Sequence, residues 1–139
     1  MDTSAPINLR YEDIALGTEF ETAAHTVTEA DIAVFADVTR DHHPLHLDAG
    51  YAKSRGFPAV IGHGLFGLSL MEGLKSELKL YEETSVASLG WDEVKFKGPI
   101  VAGDSCACVS VSSRSGRPKI PRAASSSRRS TFSTSAMRW

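Results

Sequence analysis

The stretch "HGLFGLSLMEGLKSELKL", residues 63–80, limits what this chain can fold into more than any other part of it. Leu65, Phe66, Leu68, Leu70, Met71, Leu74 and Leu78 recur at helical spacing. They leave the first half of that helix apolar almost all round. A helix of this kind has to be buried among other elements, so the remaining chain must wrap it. At 139 residues the chain is one domain by length and long enough to bury a real core.

The wrapping elements are short. "GTEFETAAHTV" (17–27) reads as a first strand. Thr28 with Asp31 three residues on has the form of a capping box, and Ile32, Phe35 and Ala36 follow at i, i+3 and i+4. That spacing predicts a short helix ending before the histidine-rich stretch. Pro44 keeps His43 out of the α region, so the helix cannot run on through it. "HLDAGYAKSRGFPAVIG" (46–62) reads as a loop punctuated by Gly56 and Pro58. "SVASLGWDEVKFKGPI" (85–100) reads as a strand, because Val94 and Phe96 alternate with Lys95 and Lys97. "VAGDS" is a turn, and "CACVSVSS" (106–113) opens another strand, with Cys106 and Cys108 on one face as small hydrophobes. The order predicts an α+β fold in which one antiparallel sheet packs on one central helix.

Composition narrows the class. A hydrophobic fraction of 42% and a charged fraction of 23% fit a soluble globular protein. We expect no signal peptide, since "MDTSAPINLRYEDIALG" has no apolar run after a basic start. No stretch nears the roughly 20 apolar residues of a membrane span, so no membrane partner is expected. A C-x-C pair is no disulfide framework, and a reduced, cytoplasmic setting is the default.

"RDHHPLHLD" (40–48) sets three histidines and two aspartates around one proline. Three readings compete for it. Asp41, His42, His43, His46 and Asp48 are all acceptable metal ligands. Spacings such as H-E-x-x-H need a regular helix, however, and Pro44 interrupts one here. A solvated polar turn is the bland reading. The catalytic reading places Asp41 and His46 on either side of a proline-fixed turn, facing one point where a water could be deprotonated as it attacks. "GHG" (62–64) opens the apolar helix. A helix N-terminus offers unpaired N–H groups and partial positive charge, so the Gly64 N–H is a candidate oxyanion donor. Alternatively, His63 caps the helix and Gly64 merely allows close packing.

F-A-D-V-T-R-D-H-H-P-L-H, with Ala52 six residues past the last histidine, resembles the signature of the MaoC-like dehydratases, the (R)-specific enoyl-CoA hydratases. "HG" at the head of the helix and "VKFKGPIVAGDS" resemble the family too, and the similarity covers about residues 8–111. The resemblance implies a hot-dog fold, a homodimer or higher homo-oligomer, and an acyl-CoA substrate with no cofactor and no metal. It implies reversible syn hydration of a trans-2-enoyl-CoA to an (R)-3-hydroxyacyl-CoA. Asp41 and His46 would activate the water, and Gly64 would stabilise the thioester enolate. His43 stands where the motif usually has asparagine and would brace the turn; His63 would support the site. The alternatives are a hydratase of a branched or dicarboxylic enoyl-CoA, or a non-catalytic acyl-CoA-binding hot-dog protein.

The last 28 residues change character. All 17 acidic residues lie at or before Asp104, so the first 104 residues carry −9 and the last 35 carry +7. Residues 112–139 hold nine serines and six arginines. One reading is a disordered basic tail; without interleaved aromatics it is not expected to bind nucleic acid. The other is a frameshift. Read two nucleotides out of frame, a TCN serine codon becomes a codon for Phe, Leu, Ile or Val, so a serine-rich tail is what a β-strand looks like out of frame. On that reading residues 1–111 are the hot-dog domain and 112–139 its altered end, with C-terminal strands missing or changed.

Overall fold

A computed structural model describes residues 7–88, 90, 91 and 93–112, and a strand at 135–138. After a 3-10 turn at Tyr11–Asp13 come β1 (Glu19–Glu21), β2 (His25–Thr26), α1 (Glu29–Thr39), α2 (Pro44–Leu47), α3 (Ala49–Ser54), α4 (Gly64–Glu77), β3 (Ser105–Val111) and β4 (Ser135–Arg138).

The expected first strand is two strands. β1 and β2 both pair antiparallel with β3, Glu21 opposite Val109 and His25 opposite Cys106. Three residues, Thr22 to Ala24, therefore face two, Ala107 and Cys108, which is the count of a β-bulge. Thr22 holds the bulge together. Its N–H donates to the Cys108 carbonyl at 3.0 Å, and its hydroxyl accepts the Cys108 N–H at 2.9 Å in place of a backbone carbonyl. β4 pairs antiparallel with Ala107–Ser110 of β3. A wholly disordered tail is thereby corrected at 135–138. The rest of the tail, from 113, and the frameshift reading with it, lie outside the described residues.

α1 forms as the capping box predicts. The Thr28 hydroxyl accepts the Asp31 N–H, and the Asp31 carboxylate accepts the Thr28 N–H at 2.8 Å. Those bonds hold the Asp31 carboxyl below its usual range, the backbone N–H first, then the Thr28 hydroxyl, with His25 adding to them. Arg40 ends the helix in the left-handed region, at φ 65°. Pro44 then starts the single turn α2 from its first position, where its missing N–H costs nothing. The loop expected over 46–62 contains α3. Asp48, a ligand candidate by residue type, caps it by accepting the Tyr51 N–H at 2.9 Å; an aspartate before an alanine-containing turn was the overlooked signal.

α4 is the central helix. Phe66, Gly67, Leu68, Met71 and Leu74 are buried, and Leu68 and Met71 pack with Cys108 of β3. Phe66 joins Val27, Ile32, Val60, Ile100 and Cys106 in the larger core cluster. Both cysteines are free and buried on one face, and burial pushes their thiols up. The helix is not covered all round, for Leu65 is 61% exposed.

The expected strand over 85–100 is absent from the described residues of that segment. An alternating pattern becomes a strand only against a partner that takes its backbone hydrogen bonds, and Val94 and Phe96 stay exposed instead. Pairing resumes where 60–62 meets 100–102: the Gly62 N–H donates to the Ile100 carbonyl at 2.7 Å, and Ile61 bridges Val101. That short ladder fixes the entry into α4.

Candidate active site

Three side chains from three elements meet at the N-terminus of α4. Asp41 follows the C-cap of α1, His46 lies in α2, and His63 is the residue before Gly64, the first of α4. One polar atom from each lies within 4.8 Å of the others. The sequence predicts Asp41 and His46 together; their junction through His63 comes from tertiary packing.

His46 is oriented by the chain segment that enters α4. Its Nδ1–H donates to the Ile61 carbonyl at 2.6 Å. A carbonyl can only accept, so Nδ1 carries the proton and Nε2 keeps a lone pair in the neutral ring. The half-buried ring leaves that nitrogen able to act as a base.

His63 does not cap the helix with its side chain. The imidazole turns inward instead and is buried. Its Nε2–H donates to the Asp41 carbonyl at 2.9 Å and lies 3.8 Å from Asp41 Oδ2. Its ring stacks on His46, centroids 3.5 Å apart and planes 26° from parallel, and touches Phe35 at 5.2 Å. Nδ1 of His63 is buried without a partner among the described residues.

His43 makes a local backbone contact. Its Nδ1 accepts the Leu45 N–H at 3.2 Å, two residues on, as an asparagine side chain would in an Asx turn. The ring stands edge-on to His46 at 6.1 Å. His42 faces solvent and pairs with Asp37 at 3.0 Å. The Asp41 carboxylate is 57% exposed, open to a water or ligand.

Gly64 sits at the mouth of a cleft of about 190 Å³ lined by Gly62, His63, Phe96, Pro99 and Ile100 among others. The first N–H groups of a helix have no intrahelical acceptor, and the helix dipole favours negative charge there. A Cβ on Gly64 would come within 2.8 Å of the Phe96 ring, so any larger residue here requires that exposed ring to move.

The same three residues invite a metal reading. Stacked imidazoles oppose it. Their lone pairs lie in nearly parallel planes 3.5 Å apart, so they do not converge on an ion at the usual 2.0–2.1 Å. His46 Nδ1 and His63 Nε2 are already spent as donors. The donor set fits proton chemistry better than coordination.

A family model described as "MaoC like domain" matches residues 13–124. The chain belongs to the MaoC-like domain family. It is 37% identical over 75 residues to an (R)-specific enoyl-CoA hydratase of Aeromonas caviae, covering 54% of each chain. It is 30% identical over 79 residues to 3-hydroxyacyl-thioester dehydratase Z of Mycobacterium tuberculosis, covering 56% of this chain and 52% of that one. The chain thus spans about half the length of these curated relatives. Among solved structures, a monoamine oxidase regulatory protein from Archaeoglobus fulgius superposes with a TM-score of 0.67 at 34% identity, covering 75% of this chain and 70% of that one. The fold is the hot-dog fold of the MaoC-like dehydratases, with α4 central against an antiparallel sheet. No helix among the described residues is long and apolar enough to cross a membrane.

Proposed function

We propose that this domain catalyses the reversible syn addition of water to a trans-2-enoyl-CoA, giving an (R)-3-hydroxyacyl-CoA. The observation that carries the reading is the Nδ1–H bond from His46 to the Ile61 carbonyl beside the Asp41 carboxylate. It leaves one imidazole nitrogen as a base and one carboxylate as a second acceptor, the pair needed to hold and deprotonate a water. The hydratase and dehydratase names of the relatives support the same chemistry.

Water adds at Cβ of an enoyl thioester only if charge can collect on the thioester oxygen. The Gly64 N–H at the head of α4 is suited to that oxygen, and one such donor contributes about 3–4 kcal/mol to a barrier of this kind. Asp41 and His46 take the proton of the attacking water and return one to Cα, so the cycle closes without a redox change. No cofactor or metal is required by these steps. The cleft beside Gly64 is smaller than the roughly 300–1,000 Å³ of complete ligand sites. It suits the thioester end, with the acyl chain housed elsewhere. Homo-oligomers and a cytoplasmic setting belong to this proposal.

A second reading is an acyl-CoA-binding hot-dog protein without turnover. The exposure of Phe96 in the cleft, and of Leu65 next to Gly64 in the chain, favours it, because an incompletely covered helix end excludes water poorly. One assay separates the two. Crotonyl-CoA is incubated with the protein, and loss of enoyl-thioester absorbance is followed. Turnover to the (R)-3-hydroxy product supports the hydratase; binding of CoA ester without absorbance loss selects the second reading.

A further inference from the structure

We infer that His63 is a positioning residue that locks Asp41 and His46 into one unit, a role that rests on the hydratase reading for its effect on rate. Four observations converge on it. His63 occupies the N-cap of α4 yet makes no side-chain cap bond, although a serine, threonine or aspartate there would. Its imidazole is only 6% exposed, and one ring nitrogen is left buried without a partner. A helix cap would explain neither feature, and a packing role would explain the burial but not a polar ring placed there with one nitrogen unpartnered. The other nitrogen holds the backbone of Asp41, 22 residues earlier, by an N–H donated to its carbonyl at 2.9 Å. The ring face lies on His46 at 3.5 Å, and the ring also meets Phe35 at 5.2 Å, which stands edge-on to Phe66 in the core.

The chain of rings therefore runs from core to site: Phe66, Phe35, His63, His46. Asp41 is exposed and lies between α1 and α2, outside regular secondary structure. Its carboxylate oxygen accepts the His43 N–H only at 3.4 Å. Without the His63 donor nothing rigid fixes its carbonyl, and the carboxylate is free to swing away from His46. Without the His63 ring, the His46 imidazole keeps its Ile61 bond but can rotate about it. Reacting groups displaced by about 1 Å can cost on the order of 100-fold in rate. That loss falls chiefly on kcat, because the displaced groups act in the chemical step, while His63 borders the cleft with a ring only 6% exposed and offers substrate little surface.

The test uses the full chain and two variants, His63→Phe and His63→Gln. Phenylalanine keeps an aromatic face on His46 but cannot donate to Asp41. Glutamine can return an N–H to the Asp41 carbonyl but removes the ring. Hydration of crotonyl-CoA gives kcat and KM. Histidine proton and nitrogen NMR of His46 reports the geometry without substrate. In the parent protein the His46 ring protons are expected upfield of their unfolded positions, because the His63 ring lies over them. The Nδ1–H form should predominate in the neutral ring. We expect His63→Phe to lower kcat by about 100-fold with KM within about three-fold. His63→Gln should recover at least about ten-fold of that loss. Unchanged kcat in both variants overturns the inference. So do equal losses in both with the His46 signals unmoved, or His46 signals in the parent that lack the upfield displacement. A parent protein that shows the displacement but does not turn over crotonyl-CoA sinks the hydratase reading and leaves the positioning intact.

Discussion

His46 and His63 lie face to face, with ring centroids 3.5 Å apart and planes 26° from parallel. One ring is fixed by the Ile61 carbonyl and the other by the Asp41 carbonyl. Residues from α2 and from the head of α4 thus constrain each other, and the carboxylate of Asp41 is held beside both. Most of the expected behaviour of the site follows from this relationship.

Asp41→Asn removes the carboxylate and keeps the side chain's shape. Because the group is exposed, unfolding free energy should change by no more than about 0.5 kcal/mol. Hydration of an enoyl-CoA should fall by about 10²–10⁴-fold, the usual worth of a positioned acid or base. Absorbance assays and thermal melts on the same sample check both numbers. Full activity in the variant would remove Asp41 from the mechanism.

Gly64→Ala places a methyl group 2.8 Å from the Phe96 ring. That ring is 59% exposed and can swing aside, so the stability change should stay within about 1 kcal/mol. The methyl would still crowd the approach to the Gly64 N–H. The rate should fall on the order of 100-fold, and a Gly64→Ala, Phe96→Ala double variant should not restore it. Recovery in the double variant would mean that Phe96, displaced into the cleft, had caused the loss.

Asp31 gives the acid side of the stability curve a definite sign. Its folded-state carboxyl titrates below the unfolded one, chiefly because the Thr28 N–H bonds its ionised form. The stabilisation is therefore complete above the ordinary carboxylate range and is lost as pH falls through the lower folded value. Asp31→Ala should cost about 1 kcal/mol at about pH 6, the worth of a helix cap. The difference from the parent should shrink as pH falls below the ordinary carboxylate range and through the lower folded value. Urea titrations of both proteins across the acid range measure this; a constant difference would contradict the assignment.

Thr22→Val keeps the shape of the bulge residue and deletes its hydroxyl. The Cys108 N–H, bonded to that oxygen at 2.9 Å, would be left buried without an acceptor. The expected cost is about 1–3 kcal/mol. Thr22→Ser, which keeps the oxygen, should lose much less. The comparison reads the hydrogen bond separately from packing, since valine matches threonine in volume and serine does not.

The sequence by itself determined the parts whose causes are local. Thr28 and Asp31 start α1 through bonds three residues apart, Pro44 breaks the chain before His46, and the leucine spacing of 65–78 makes α4 a buried helix. The motif "DHHPLH" and the "HG" at the head of α4 likewise marked the family that the chain belongs to. Long-range partners decided the rest. The His46 tautomer depends on a carbonyl 15 residues away, and the use of His63 on one 22 residues away. The one-residue slip between β1 and β2 is set by Thr22 meeting Cys108, 86 residues on. The alternation at Val94 and Phe96 satisfied every local rule for a strand, yet no partner takes its backbone bonds among the described residues. Side-chain periodicity says which face an element would bury. Only the tertiary structure supplies the surface and the hydrogen-bond partners that make it do so.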